Sequence, residues 1–104
     1  MNDMSLTRTQ GLLPSLAAIL DEDDVSRRIL AFLLRNEAAM DTARGIAAWW
    51  VDCDEMAVQA ALDRLLISGA VTAHPRASGV LYGLTRNAET RAWLRSRLSP
   101  PAAG

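Results

Sequence analysis

DEMAVQAALDRLLISGAV, residues 54–71, has a helical rhythm up to Ser68 and an extended one after it. Val58, Ala61, Leu62, Leu65 and Leu66 fall at i, i+3, i+4, i+7 and i+8, which places one apolar stripe on a 3.6-residue repeat. Asp54 offers a carboxylate to the orphan backbone N–H groups of the first turn. Ser68-Gly69 supplies the stop, because glycine accepts the left-handed conformation that follows a last turn. The period then changes to two. Val71 and Ala73, then Val80, Tyr82 and Leu84, alternate with Thr72, His74, Leu81 and Gly83, around the turn-rich Pro75-Arg76-Ala77-Ser78-Gly79. The reading is a helix that feeds directly into a short hairpin.

Upstream, residues 25–36 form a second helical pattern, with Ile29, Leu30, Phe32 and Leu33 facing inward and Arg27, Arg28 and Arg35 outward. Before it lies Asp21-Glu22-Asp23-Asp24, read either as a solvated connector or as an acidic cluster favoured by the next helix's dipole. Residues 37–40 are a connector or a short edge strand. Asp41 or Thr42 then caps a short helix, 43–50, whose buried face is Ala43, Ile46, Ala47 and Trp50. Adjacent helical residues point about 100° apart, so Trp49 cannot share the direction of Trp50. Cys53 is expected to drop into the core at the turn that follows. Flanking helices are read at 12–20, with Pro14 in its first turn, and at 87–98, with Asn87 as cap and Trp93, Leu94 and Leu98 on one side. Residues 1–10 read as a loose polar segment and 99–104 as a disordered tail.

The chain has 104 residues, a net charge of -1 and half its residues apolar, which fits one domain with one core, residues 25–85, and argues against a broadly basic coat for nucleic acid. Its eleven positive charges are all arginine. They are unevenly spread: residues 1–25 sum to -4 and residues 76–104 to +4. That asymmetry is met either by a ligand or by pairing between the two ends, within a chain or between subunits. One cysteine, Cys53, excludes an internal disulfide, and the N-terminus lacks the layout of a signal peptide, so the expected compartment is the cytoplasm. No apolar run approaches the roughly 18 residues of a membrane span.

Taken together, residues 25–85 give helix, link, helix, turn, helix, strand, turn, strand. This order resembles the winged helix-turn-helix superfamily of bacterial regulators, including the MarR, ArsR and PadR groups. The resemblance is carried by Ile46-Ala47, by Val58-Gln59-Ala60-Ala61-Leu62-Asp63-Arg64-Leu65, by Gly69-Ala70-Val71 and by Gly79 to Leu84. It implies a mostly α fold with a small antiparallel β wing, flanked by N- and C-terminal helices. It also implies a DNA-binding transcriptional regulator, whose 54–68 helix enters the major groove of duplex DNA and whose terminal helices form a homodimer. The residues suited to that role are Gln59 for an adenine edge, Arg64 for guanine or phosphate, and Arg44 and Arg76 for phosphates.

A competing reading starts from the same helical wheel. Opposite the buried stripe lie Met56, Ala60, Asp63 and Ile67, near Asp52, Asp54 and Glu55, carboxylates that phosphate would repel. With Trp49 they make an apolar and acidic face suited to a protein partner, in an adaptor or complex subunit. Catalysis has no support in the sequence. His74 and Cys53 stand apart, no glycine-rich phosphate loop occurs, and the carboxylates lie in a connector and at helix starts, so no enzyme activity, cofactor or metal is expected.

Overall fold

The computed structural model describes residues 16–98. Its elements follow in the order α1 (Leu16–Glu22), α2 (Asp24–Arg35), β1 (Met40–Asp41), α3, α4 (Glu55–Ser68), β2 (Val71–Arg76), β3 (Gly79–Leu84) and α5 (Ala88–Leu98). Helix α3 is composite: an α-helical turn, Ala43–Gly45, passes into a π-helical turn, Ile46–Trp50. The chain is therefore mostly helical with a small three-stranded antiparallel sheet of order β1-β3-β2. Residues 1–15 and 99–104, and with them the expected first turn of the 12–20 helix and the expected tail, lie outside the described residues.

Helix α4 is the centre of the packing. Its Val58, Ala61, Leu62 and Leu65 are fully buried, against Ile29, Leu30 and Leu33 of α2, Ile46 of α3, Ile19 and Leu20 of α1 and Leu94 of α5, all in one cluster. Leu66, at the edge of the stripe, is half-buried. Both ends of α4 stop for the reasons the sequence carries. The Asp54 carboxylate accepts from the Ala57 N–H at 3.1 Å, and Gly69 takes φ +84° while its N–H donates to Leu66 O. Open space surrounds the position a Gly69 Cβ would occupy, so Gly69→Ala isolates backbone strain. It is expected to cost about 1 kcal/mol in chemical unfolding, with no change in the slope.

The hairpin forms where the period places it, with a tighter turn and without strict alternation of burial, since Tyr82, Gly83 and Leu84 are all buried. Pro75 and Arg76 lie within β2, pairing with Val80 and Gly79, which leaves only Ala77-Ser78 as the turn. Proline is admissible there because β2 is an edge strand, where a missing N–H costs no ladder bond. Val71, Tyr82 and Leu84 are buried while Ala73 and Val80 are exposed, since the strands splay away from the core toward the tip. Residues 40–41 form the third strand, Met40 opposite Gly83 and Asp41 opposite Tyr82.

Three expected core side chains sit at the margin instead. Phe32 and Trp50 are half-buried and stack on each other, ring centres 4.4 Å apart and planes 16° from parallel. Cys53 is half-buried, with its Sγ 3.4 Å from Val51 O and 3.6 Å from Arg28 Nη1. The separated charge is met in part within the chain. Arg91 and Arg95 of α5 both bind Glu37, and Arg97 reaches Asp21 of α1 at 3.4 Å.

Candidate protein interface

The junction between α3 and α4 positions the exposed residues. A run Ile-Ala-Ala-Trp-Trp has no polar residue to face solvent, so whichever way the turn closes, some of it must remain outside. It closes wide. Val51 N–H donates to Ile46 O at 3.1 Å, five residues back, and Cys53 N–H donates to Ala47 O at 3.0 Å. One extra residue in the turn keeps Ile46 and Ala47 in the core and turns Trp49 out, where it is 83% exposed. Such π turns inside helices recur at functional positions. The next residue after Val51, Asp52, has φ +51°, a conformation that Asp tolerates better than most side chains.

Along α4, Met56, Ala60, Asp63 and Ile67 recur at helical spacing on the side away from the core, and all four are exposed, Met56 at 80% and Ile67 at 60%. Asp52, Asp54 and Glu55 are exposed at the helix start. The five residues expected for a protein contact thus all lie open to solvent. Burying a methionine-sized side chain on association is worth about 1.5–3 kcal/mol, so an apolar set of this kind carries real binding capacity.

The four residues expected for DNA are not brought together in the same way. Arg64 Nε donates to Asp23 Oδ2 at 3.2 Å and its Nη2 bonds the same oxygen, so the guanidinium is drawn toward the start of α2. Asp23 is a busy acceptor: it takes N–H bonds from Val25 and Ser26 and the buried Ser26 hydroxyl at 2.6 Å. Partial burial pushes the Asp23 carboxyl up, but the bonds from Ser26 and Arg64 outweigh it and hold the carboxyl below its ordinary value. Gln59 is also engaged, its Nε2 donating to Tyr82 Oη and to Asp63 Oδ1, each at 3.1 Å. Arg44 and Gln59 line one open groove of about 290 Å³ with Gly79 and Tyr82 of the hairpin. Arg76 stands opposite Gly79 at the hairpin end, exposed, its Nη1 on Pro75 O.

The Asp23–Arg64 pair spans 41 residues, and nothing local in the sequence announces it. Among the described residues, no helix is long and apolar enough to cross a membrane, and no group of three or more His, Cys, Asp and Glu side chains converges. No family model, curated protein or solved structure matches the chain.

Proposed function

We propose that the chain is a non-enzymatic protein-interaction module of winged-helix type, with the hairpin as its wing. Its partner docks on the face that begins at Trp49 and continues along Met56, Ala60, Asp63 and Ile67. The observation that carries this reading is the near-complete exposure of Trp49 and Met56 beside four exposed carboxylates, Asp52, Asp54, Glu55 and Asp63. Tryptophan, methionine and isoleucine are uncommon on an idle surface in such a set and are favoured at the centre of contacts between proteins. The carboxylate border selects a partner segment whose apolar anchors are flanked by Arg or Lys.

A second reading, DNA recognition, draws on Arg44 and Arg76 on either side of Gly79. It is weaker because the outward stripe of α4 bears no guanidinium: Arg64, the one arginine in that helix, is held by Asp23. The same stripe would have to approach a row of phosphates with carboxylates at its leading end.

Fluorescence anisotropy with three probes separates the two readings. The probes are a helical peptide of Leu and Lys, its Leu and Glu counterpart, and a mixed-sequence DNA duplex. The Lys peptide is expected to bind, with affinity reduced about tenfold or more by Trp49→Ala at unchanged fold stability, and the Glu peptide to stay free. Duplex binding that weakens steeply with salt and is lost in the Arg44→Ala, Arg76→Ala double variant would reverse the assignment in favour of DNA.

A further inference from the structure

Apart from the Trp49 face, we infer that the outer surface of the sheet holds a site for a small organic oxyanion, a carboxylate or phosphate carried on a short apolar body. An open groove of about 540 Å³ lies there, between the connector Glu37–Met40 and the residues around the start of α5. That volume is within the range of about 300–1,000 Å³ that small-molecule sites occupy.

The strand register sets the floor of the groove. Met40, Gly83 and Thr72 stand in one row across the three strands. Directly opposed residues share a face, so the middle position of this row has no side chain at all. A Cβ at Gly83 would lie 2.9 Å from Met40 Cγ. Glycine inside a strand weakens the sheet, and its usual return is a close approach to the backbone by another group; here the Met40 side chain makes that approach and Gly83 is buried.

The donors around this floor are held in place before any ligand arrives. Arg91 Nε donates to Thr85 O at 2.6 Å and Nη1 to Glu37 Oε1 at 2.8 Å, which fixes the guanidinium plane and leaves Nη2 without a hydrogen bond among the described residues. Arg86 also lines the groove and forms no ion pair among the described residues. Thr72 Oγ1 and His74 Nε2, two residues apart on the same face of β2, share a hydrogen bond of 2.9 Å, so of these two atoms only the Thr72 hydroxyl keeps a proton to offer, when His74 Nε2–H donates to it. Glu37, the one carboxylate among the lining residues, is already shared by Arg91 and Arg95, so the local balance is positive. A guanidinium held in place with one nitrogen to spare, beside a second arginine in no ion pair among the described residues, suits an oxyanion because little side-chain freedom is lost on binding. Met40, 37% exposed, lines the same groove and offers an apolar wall for the ligand's body.

The test is a titration of the ¹⁵N-labelled protein with benzoate, phenyl phosphate and the uncharged benzamide, followed by amide shifts. At least one anion is expected to give saturable shifts at Thr72, His74, Gly83 and Arg86, and which one does so identifies the acid group. Benzamide should give none. Arg86→Gln, a change on an exposed side chain, should weaken the binding about tenfold or more, the scale of one charge-assisted hydrogen bond. Absence of saturable shifts with both anions, equal binding of benzamide, or unchanged affinity in Arg86→Gln would each overturn the inference. The groove shares no lining residue with the Trp49 face, so failure here leaves the docking reading intact, and the reverse.

Discussion

Leu62→Ala is expected to lower the unfolding free energy by about 3 kcal/mol, read in urea as a lower midpoint at an unchanged slope. Leu62 is fully buried at the middle of α4, in the cluster that α1, α2, α3 and α5 all join. Removing its outer carbons loses transfer free energy and leaves a cavity that four helices, each anchored by other contacts, cannot all close. The loss is a large share of the about 5–15 kcal/mol by which domains of this size are stable. Leu66→Ala provides the contrast. That side chain is half-buried at the edge of the same helix, so water fills the space and the cost is smaller. Equal costs at the two positions would mean that the stripe is not packed as described.

Asp23→Ala is expected to cost a similar amount, about 3 kcal/mol, through a different mechanism. The carboxylate caps α2 by accepting from Val25 and Ser26 N–H, a contribution of about 1 kcal/mol. It also receives the Ser26 hydroxyl, and Ser26 is fully buried, so its donor would be left without a partner at a further cost of about 1–3 kcal/mol. The partly exposed Arg64 pair adds little on its own. Asp23→Asn keeps the acceptor and loses the charge, so it should retain most of the stability. The pH dependence has a definite sign. Asp23 ionises more easily in the folded chain than in the unfolded one, so its contribution is complete above the unfolded carboxylate range and is lost as the pH falls through the lowered folded value. Glu37 acts in the same direction, its carboxyl lowered chiefly by the hydrogen bond from Arg95. Asp23→Asn is therefore expected to flatten, without abolishing, the acid limb of the stability profile.

How much of this was legible in the chain depends on how local the cause is. Helix α4 and its two ends could be read because the stripe, the Asp54 cap and Gly69 lie within one segment. The hairpin could be read from its period, and Thr42 and Asn87 as caps from their places before helical runs: Thr42 Oγ1 accepts from Gly45 N–H and Asn87 Oδ1 from Thr90 N–H. The π turn could not, since Ile46-Ala47-Trp50 has the same spacing whether the turn holds four residues or five. Pro75 misled for a related reason: its place in β2 depends on that strand being at the edge, which is a property of the sheet. The candidate face was legible in part. Helical spacing put Met56, Ala60, Asp63 and Ile67 on one side. Only the tertiary fold shows that Arg64 is taken by Asp23 and that Trp49 is 83% exposed.

In the proposed function, Trp49 and Met56 form an open face that a basic, apolar-anchored segment covers. Hydroxyl-radical footprinting with residue-level mass spectrometry addresses it directly, on the protein alone and with the Leu/Lys peptide added. Trp49 and Met56 are expected to be oxidised much faster than Trp50 in the free protein, and the peptide to protect both while leaving Trp93 unchanged. Slow oxidation of Trp49 in the free chain, at the rate of Trp50, or protection by the peptide that spares Trp49 and Met56, would contradict it.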